Sequence, residues 1–166
     1  MNSLPDRFRL WFEHERDSNA KTLAMLESVP EDQRPSPDYR KALDRMGHIV
    51  AARRRWLFRL AGTPDVEGIF PTGAEIGSLR NDVVEMERLW IEYLTGLDDV
   101  ELQRELEWVA INGKRYRWNV EGALTQMYGH AFYHRGQIAQ TVAQLGGKSV
   151  DTDYIYWMNL EPLAPA

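Results

Sequence analysis

The chain has 166 residues, of which 43% are hydrophobic and 27% are charged, and these proportions exclude an intrinsically disordered chain and a fibrous repeat. It contains no cysteine, which excludes disulfides, thiolate ligands and a catalytic thiol, so any bound metal must be held by imidazole or carboxylate groups. Its formal net charge of −5 gives no general attraction for nucleic acid, and no apolar run is long enough for a membrane span. We therefore expect one cytoplasmic domain over residues 1–166, with neither nucleic acid nor a membrane as a partner.

Two helices are predicted in the first part of the chain. Apolar residues recur at helical spacing from about residue 6 to residue 28, and Pro30 stops the pattern. Three prolines between residues 30 and 37 predict an extended connector. A second helical pattern runs from about residue 38 to residue 61, with Gly62 as its C-cap. Because His14 lies off the apolar face of the first helix, we expect its side chain to be solvated.

The second part of the chain predicts two more helices with a different element between them. A stripe from Leu79 to Leu97 predicts the most regular helix. Between residues 101 and 118 the periodicity changes, and Asn112-Gly113 is suited to the primed turn of a hairpin. The last long helix runs from about residue 119 to residue 145, and an aromatic tail is expected to pack back on the helices. The predicted fold is all-α, a four-helix bundle with a short extended or hairpin insertion before the last long helix.

Two of the four histidines, His130 and His134, lie one helical turn apart on the last helix. Imidazoles at this spacing can share one metal ion, but the pair alone does not specify a site, so a third ligand is required. His48 lies off the apolar arc of the second helix. Two outcomes are open: its polar stripe lines a cavity while the apolar arc packs elsewhere, for example on a second subunit, or His48 is simply exposed.

Polar residues gather beside the histidine pair of the last helix. Gln137 lies near the same line of the helix and Tyr133 lies just outside it. Such groups can orient imidazoles or bind a substrate or cofactor, and they can equally form bridges to backbone carbonyls or water.

Two segments of the sequence resemble the DinB-like metalloproteins. One is the run from Met46 to Ala52 followed by Trp56-Leu57, and the other is the run from His130 to Ile138, which contains the string His-Arg-Gly-Gln-Ile. The resemblance covers nearly the whole chain and implies a four-helix bundle. It also implies a metal site on His48, His130 and His134, which we call the histidine triad. The chain departs from the family pattern at Arg45, where an apolar residue is expected, so the mouth of the pocket is more polar or the helix is rotated.

The resemblance also implies a chemistry. Three neutral imidazoles leave open positions on a divalent ion, as catalytic sites do, and characterised relatives include thiol-dependent transferases and isomerases. We therefore predict a small-molecule enzyme in which Zn²⁺ or Ni²⁺ activates a low-molecular-weight bacterial thiol for S-transfer. Arg55 or Arg59 is predicted to contact an anionic part of that thiol.

Two other functions are open at this stage. A metal-dependent hydrolase would need a general base, which Asp44 of the second helix could supply. A non-catalytic, stress-related helical binding module would need no open metal position. A homodimer is also predicted, because Met46, Val50 and Leu57 are apolar where a monomer's outward face could lie.

Overall fold

The protein is described by a computed structural model that covers residues 3–160. Within this range the chain is mostly helical and carries one two-stranded antiparallel sheet, as the sequence predicts. In chain order the elements are α1 (Leu4–Glu27), α2 (Pro37–Ala61), α3 (Ile76–Thr95), α4 (Asp99–Gln103), β1 (Glu105–Val109), β2 (Arg115–Asn119), α5 (Val120–Gln144) and α6 (Tyr154–Trp157). The predicted bounds of the long helices agree to within three residues, but the short helices α4 and α6 were not predicted. Residues Glu31–Gln33 form a 3-10 helix in the segment where an extended connector was expected. No helix in the described part of the chain combines the length and apolarity that a membrane crossing requires.

Side-chain caps fix the points at which three of the long helices begin. The Ser3 hydroxyl accepts from the Asp6 amide at 3.3 Å, and the Asp6 carboxylate accepts from the Ser3 amide at 3.2 Å. Ser36 caps α2 and Asn119 caps α5 in a similar way. These oxygens satisfy amides that have no partner inside the helix, and each cap is worth about 1 kcal/mol. Gly62 ends α2 with a φ of 67°, a left-handed conformation that glycine adopts without strain.

The four long helices pack around a shared apolar core. Helices α1 and α2 each pack against both α3 and α5. Met46, Val50 and Leu57 of α2 lie in this core, with exposed fractions of 0%, 4% and 1%. Our expectation that these three residues form an outward apolar face was wrong, because the other helices of the same chain cover them. A homodimer would therefore need a different surface.

The insertion before the last long helix is a β-hairpin, as one of the two predicted alternatives required. Strands β1 and β2 pair in antiparallel register, with Trp108 opposite Tyr116. The turn differs from the prediction: the Ala110 carbonyl accepts from the Gly113 amide at 2.9 Å, so Ile111 and Asn112 are its central residues. Gly113 follows them with a φ of 74°. This is the three-residue hairpin loop with a left-handed glycine, rather than a primed turn centred on Asn112-Gly113.

The expectation that His14 is solvated was wrong. The side chain is fully buried and lies among aromatic residues of α5 and of the C-terminal segment. Its ring contacts the rings of Tyr154 and Trp157 at centroid distances of 5.2 and 5.4 Å, which confirms that the tail packs back on the helices. A helical wheel could not predict this contact, because the residues that cover His14 lie more than 100 positions away in the sequence.

Candidate metal centre

The histidine triad lies where α2 passes α5. His130 and His134 occupy successive turns of α5, and their Nε2 atoms are 3.1 Å apart. The Nε2 atom of His48, on α2, is 3.2 Å from that of His130. The three residues form a group whose candidate ligand atoms all lie within 4.8 Å of one another. The structure therefore brings together the three histidines that the family resemblance implied, and this group could hold a metal ion.

The nitrogen separations fit a shared divalent ion. Two nitrogens, each about 2.0 to 2.1 Å from one ion, lie about 2.8 to 3.4 Å apart when their bond angle is between a right angle and the tetrahedral value. Both measured Nε2 separations, 3.1 and 3.2 Å, fall in this interval. His130 is therefore at a suitable distance from each of the other two rings to share an ion with it.

Hydrogen bonds on the far side of two rings fix which nitrogen carries the proton. The Nδ1–H of His48 donates to the carbonyl oxygen of Ile69, and the Nδ1–H of His134 donates to Oε1 of Gln137 at 3.1 Å. In neutral imidazole the other nitrogen, Nε2, is then a lone-pair acceptor. The Nε2 lone pairs of His48 and His134 therefore both point toward His130 Nε2. That nitrogen carries at most one proton, so it can donate to only one of them. A cation between the three rings would resolve this conflict, so the donor set suits a metal.

The loop between α2 and α3, residues 62–75, covers the polar stripe of α2 and positions His48. Besides the bond from His48 to Ile69, the ring of Phe70 stacks on His48 at a centroid distance of 4.7 Å. Gly47 allows the loop to approach closely, because a Cβ at this position would lie 2.9 Å from Cγ of Pro71. His48 is consequently buried rather than exposed, with an exposed fraction of 7%. Of the two outcomes that the sequence left open, the cavity-lining one is correct, and the apolar arc packs within the same chain.

Burial and mutual repulsion keep the imidazoles of α5 neutral. Removal from water, together with nearby positive charge on His134, His48 and Arg53, lowers the pKa of His130 to about 4. Burial also lowers the pKa of His134, to which the charge of Arg45 contributes. Because a metal binds the unprotonated nitrogen, both shifts favour ligation at neutral pH.

A cavity of about 490 Å³ opens beside the triad. Its walls include His48 and His130, two arginines and Trp56 of α2, part of the β-hairpin with Trp108, and Met127 of α5. The tryptophan rings contact each other at 5.2 Å. A ligand in this cavity could therefore reach the centre of the triad while aromatic surface shields it from water.

The two arginines predicted to contact a thiol both line this cavity, but in different ways. Arg55 donates to the Val66 carbonyl at 2.7 Å and pairs with Asp65 at 2.6 Å, so its guanidinium holds the 62–75 loop. The guanidinium of Arg59 lies over the rings of Trp56 and Trp108, at 4.6 and 5.4 Å from their centroids. Arg59 is thus presented to the cavity by aromatic surfaces.

The remaining predicted site residues have distinct positions. Gln137 contacts His134, as described above, so it orients a ligand. Tyr133 lies beside His134 with a ring distance of 5.0 Å, but its side chain is 64% exposed and lines neither cavity next to the triad. Asp44 and Arg45 line a second, smaller cavity together with His48 and His134. Apart from the unusual Arg45, nothing in the sequence pattern indicated this second cavity.

A buried ion pair braces the helix that carries His48. Arg53 of α2 donates from Nε to Glu15 Oε1 of α1 at 2.7 Å, and its Nη2 pairs with the other carboxylate oxygen. Both side chains are buried. Removing one partner of such a pair is strongly destabilising, because the other charge is left unpaired in a medium of low polarity. This ion pair was not predicted from the sequence, although Glu15 falls on the apolar line of α1, where a charged residue needs a partner.

Comparison with known proteins agrees with this geometry. A sequence profile of the DinB family matches residues 2–164, nearly the whole chain. Comparisons with curated proteins and with solved structures return no significant match.

Proposed function

Because the chain belongs to the DinB family, we propose that it is a metal-dependent enzyme that activates a low-molecular-weight thiol for S-transfer. The observation that carries this proposal is the convergence of three imidazole Nε2 atoms beside a cavity of about 490 Å³. Three imidazoles leave coordination positions open to a ligand. We propose Zn²⁺ or Ni²⁺ as the ion, because both bind imidazole well.

The chemistry needs a thiol from outside, because the chain contains no cysteine. A bound divalent ion lowers the pKa of a coordinated thiol and holds its thiolate for attack. In the transfer, the sulfur forms a bond to an electrophilic carbon, the leaving group departs with the bonding electrons, and the thiol proton passes to solvent. The protein's own residues keep the imidazoles in the competent tautomer through Ile69 and Gln137, and Trp56 and Trp108 give the cavity an aromatic wall.

We propose that Arg59, rather than Arg55, contacts an anionic group on the thiol. Arg55 already binds Val66 and Asp65, whereas Arg59 lies on the aromatic wall of the cavity. Replacing Arg59 by Ala should raise the KM for an anionic thiol and leave the KM for a neutral thiol nearly unchanged. Equal KM values for the anionic thiol in the two proteins would remove this role.

We also propose that the chain is a four-helix bundle, which the packing of α1 and α2 against both α3 and α5 supports. The cytoplasmic location, the single domain and the homodimer stay predictions from the sequence. Light scattering at micromolar concentration tests the homodimer, since a monomeric mass would contradict it.

Hydrolysis is the second candidate, and one observation favours it. Asp44 lines the smaller cavity with His48 and His134, where a carboxylate could act as a general base. One of its oxygens, however, accepts from the Ala74 amide at 3.0 Å, so the carboxylate already helps to hold the 62–75 loop. A non-catalytic binding module is the third candidate, and the open cavity beside the triad argues against it.

The test separates the three candidates in one assay. Zinc-loaded, nickel-loaded and metal-free protein would be mixed with 1-chloro-2,4-dinitrobenzene and a panel of thiols that includes cysteine and coenzyme A. We expect chloride release that requires both metal and thiol and that disappears in His134→Ala. Thiol-independent release of acid from an ester would support the hydrolase instead. Absence of bound metal in the purified and reloaded protein would favour the binding module.

A further inference from the structure

Two cavities meet at the histidine triad, and His48 belongs to the walls of both. The larger cavity, of about 490 Å³, includes His130 in its wall. The smaller one, of about 280 Å³, includes His134 instead. The two spaces therefore approach the same three nitrogens from different directions.

The smaller cavity carries a different set of side chains from the larger one. Arg45 and Lys41 of α2 form its basic part, and Phe70 and Pro71 of the 62–75 loop form its apolar part. Asp44 supplies one carboxylate, so two cations and one anion leave the wall with an excess positive charge. The larger cavity has two arginines and no carboxylate in its wall, but Arg55 is paired with Asp65, and most of the remaining lining is aromatic or aliphatic.

Arg45 is the cation of this wall that is left for a ligand. Lys41 lies 3.5 Å from the carboxylate of Asp38, and Asp44 is bound to the Ala74 amide. Among residues 3–160, no carboxylate lies within ion-pairing distance of Arg45. A half-buried guanidinium beside apolar surface has a strong tendency to bind a planar carboxylate through two parallel hydrogen bonds.

We propose that the smaller cavity binds a small monocarboxylate and that Arg45 recognises its carboxylate. One unpaired guanidinium matches one carboxylate, and Phe70 and Pro71 match an alkyl tail. The volume equals the share of about nine water molecules in the liquid, which suits a compound of this size. The inference rests on the proposed S-transfer, because a reaction between two molecules at one ion requires a separate place for each. The larger cavity then takes the thiol, and the smaller one takes the acceptor.

Calorimetric titration with butyrate tests this assignment, and butyramide serves as the neutral probe of the same shape. The proteins are zinc-loaded wild type, Arg45→Gln, Arg45→Lys, Arg59→Gln and Arg40→Gln. The last variant removes the same charge from an exposed position of α2. Zinc content and the unfolding transition of each variant would establish that it is folded.

We expect butyrate to bind the wild-type protein at millimolar concentration. Arg45→Gln should weaken binding by about tenfold or more, the usual effect of losing a charged hydrogen-bond partner. Arg45→Lys should have an intermediate effect, and Arg40→Gln should change the affinity less than twofold. Butyramide should bind weakly to all five proteins.

Three results would overturn the proposal. They are equal butyrate affinity in Arg45→Gln and wild type, equal affinity for butyramide and butyrate, and loss of butyrate binding in Arg59→Gln, which would place the acid in the larger cavity. The outcome is independent of the S-transfer assay. Arg45-dependent butyrate binding without S-transfer would support the carboxylate site and reject the proposed S-transfer. S-transfer without Arg45-dependent binding would support the S-transfer and reject the carboxylate site.

Discussion

His14 and the histidine triad are two imidazole environments in one protein, and the partners of their ring nitrogens distinguish them. In His14 both nitrogens face protein groups: Nδ1 lies 3.2 Å from the hydroxyl of Tyr128, and Nε2 lies 2.9 Å from the carbonyl of Thr152. In the triad the Nε2 atoms face one another. A histidine with both nitrogens satisfied stabilises the fold, whereas imidazoles whose acceptor nitrogens converge are arranged for a cation. Burial alone does not separate them, because His48 is buried like His14 while His130 and His134 are half-buried.

The largest expected effect concerns metal binding. Replacing His130 by Ala should weaken zinc binding by roughly a hundredfold to a thousandfold, since roughly 10 to 16 kcal/mol of binding free energy is shared among four ligands in structural zinc sites. Metal analysis after dialysis against a weak chelator would measure the loss. His14→Gln is the matched control, and it should retain one zinc per chain. Equal loss of zinc from the two variants would contradict the assignment of the metal site to the triad rather than to His14.

The next effect concerns stability, and it should be larger for a substitution at His14 than for one in the triad. His14→Ala should lower the free energy of unfolding by about 2 to 4 kcal/mol, because it leaves a cavity among aromatic rings and removes partners from Tyr128 and Thr152. Metal-free His134→Ala should be much less destabilised, since that side chain borders a cavity. Urea denaturation of the metal-free proteins would measure both values. A triad variant that is destabilised as much as His14→Ala would contradict this division of roles.

A smaller effect is expected at the group that orients a ligand. Gln137→Leu removes the acceptor of the His134 Nδ1–H and should weaken zinc binding about tenfold, as the loss of an outer partner does in other metal sites. Gln140→Leu changes an exposed glutamine of the same helix and should leave the affinity unchanged. Competition with a chromophoric chelator would give both values, and a tenfold loss in the control would remove the role of Gln137.

The smallest effect is a change in the pH dependence of stability. Burial is the main cause that lowers the pKa of His14 below its usual 6.5, so the unfolded state binds more protons than the folded state below that pH. The free energy of unfolding of the metal-free protein should therefore fall as the pH drops below about 6.5. His14→Gln should make this fall less steep over the same range, while the triad still contributes. An unchanged slope would mean that His14 binds protons equally in the folded and unfolded states.

The sequence predicted those parts of this comparison that depend on local spacing. The pairing of His130 with His134 follows from one turn of helix, and their border position follows from the apolar pattern of α5. It did not predict the environment of His14, because a wheel for α1 contains no information about Tyr128, Thr152 or the tail. His48 was ambiguous for the same reason: the 62–75 loop that buries it has no periodic pattern.

Other features lay beyond the sequence because they depend on how distant segments meet. The second cavity forms only where the 62–75 loop approaches Gly47, and spacing along α2 does not reveal it. The hairpin was predicted at the correct place in the chain, but the type of its turn was not. Because Asn-Gly occurs in both turn types, the position of Gly113 could be assigned only from the hydrogen bonds of Ala110. The family resemblance selected His48 as the third ligand where the residues alone left a choice.

The central claim is that three imidazoles, one from α2 and two from α5, ligate the same ion. X-ray absorption spectroscopy of the zinc-loaded protein tests it directly, because imidazole rings give a distinctive outer-shell signal. We predict three imidazole nitrogens at about 2.0 to 2.1 Å from the zinc, falling to two in His48→Ala. A first shell with fewer than three imidazoles in the wild-type protein, or a spectrum unchanged by His48→Ala, would contradict the account.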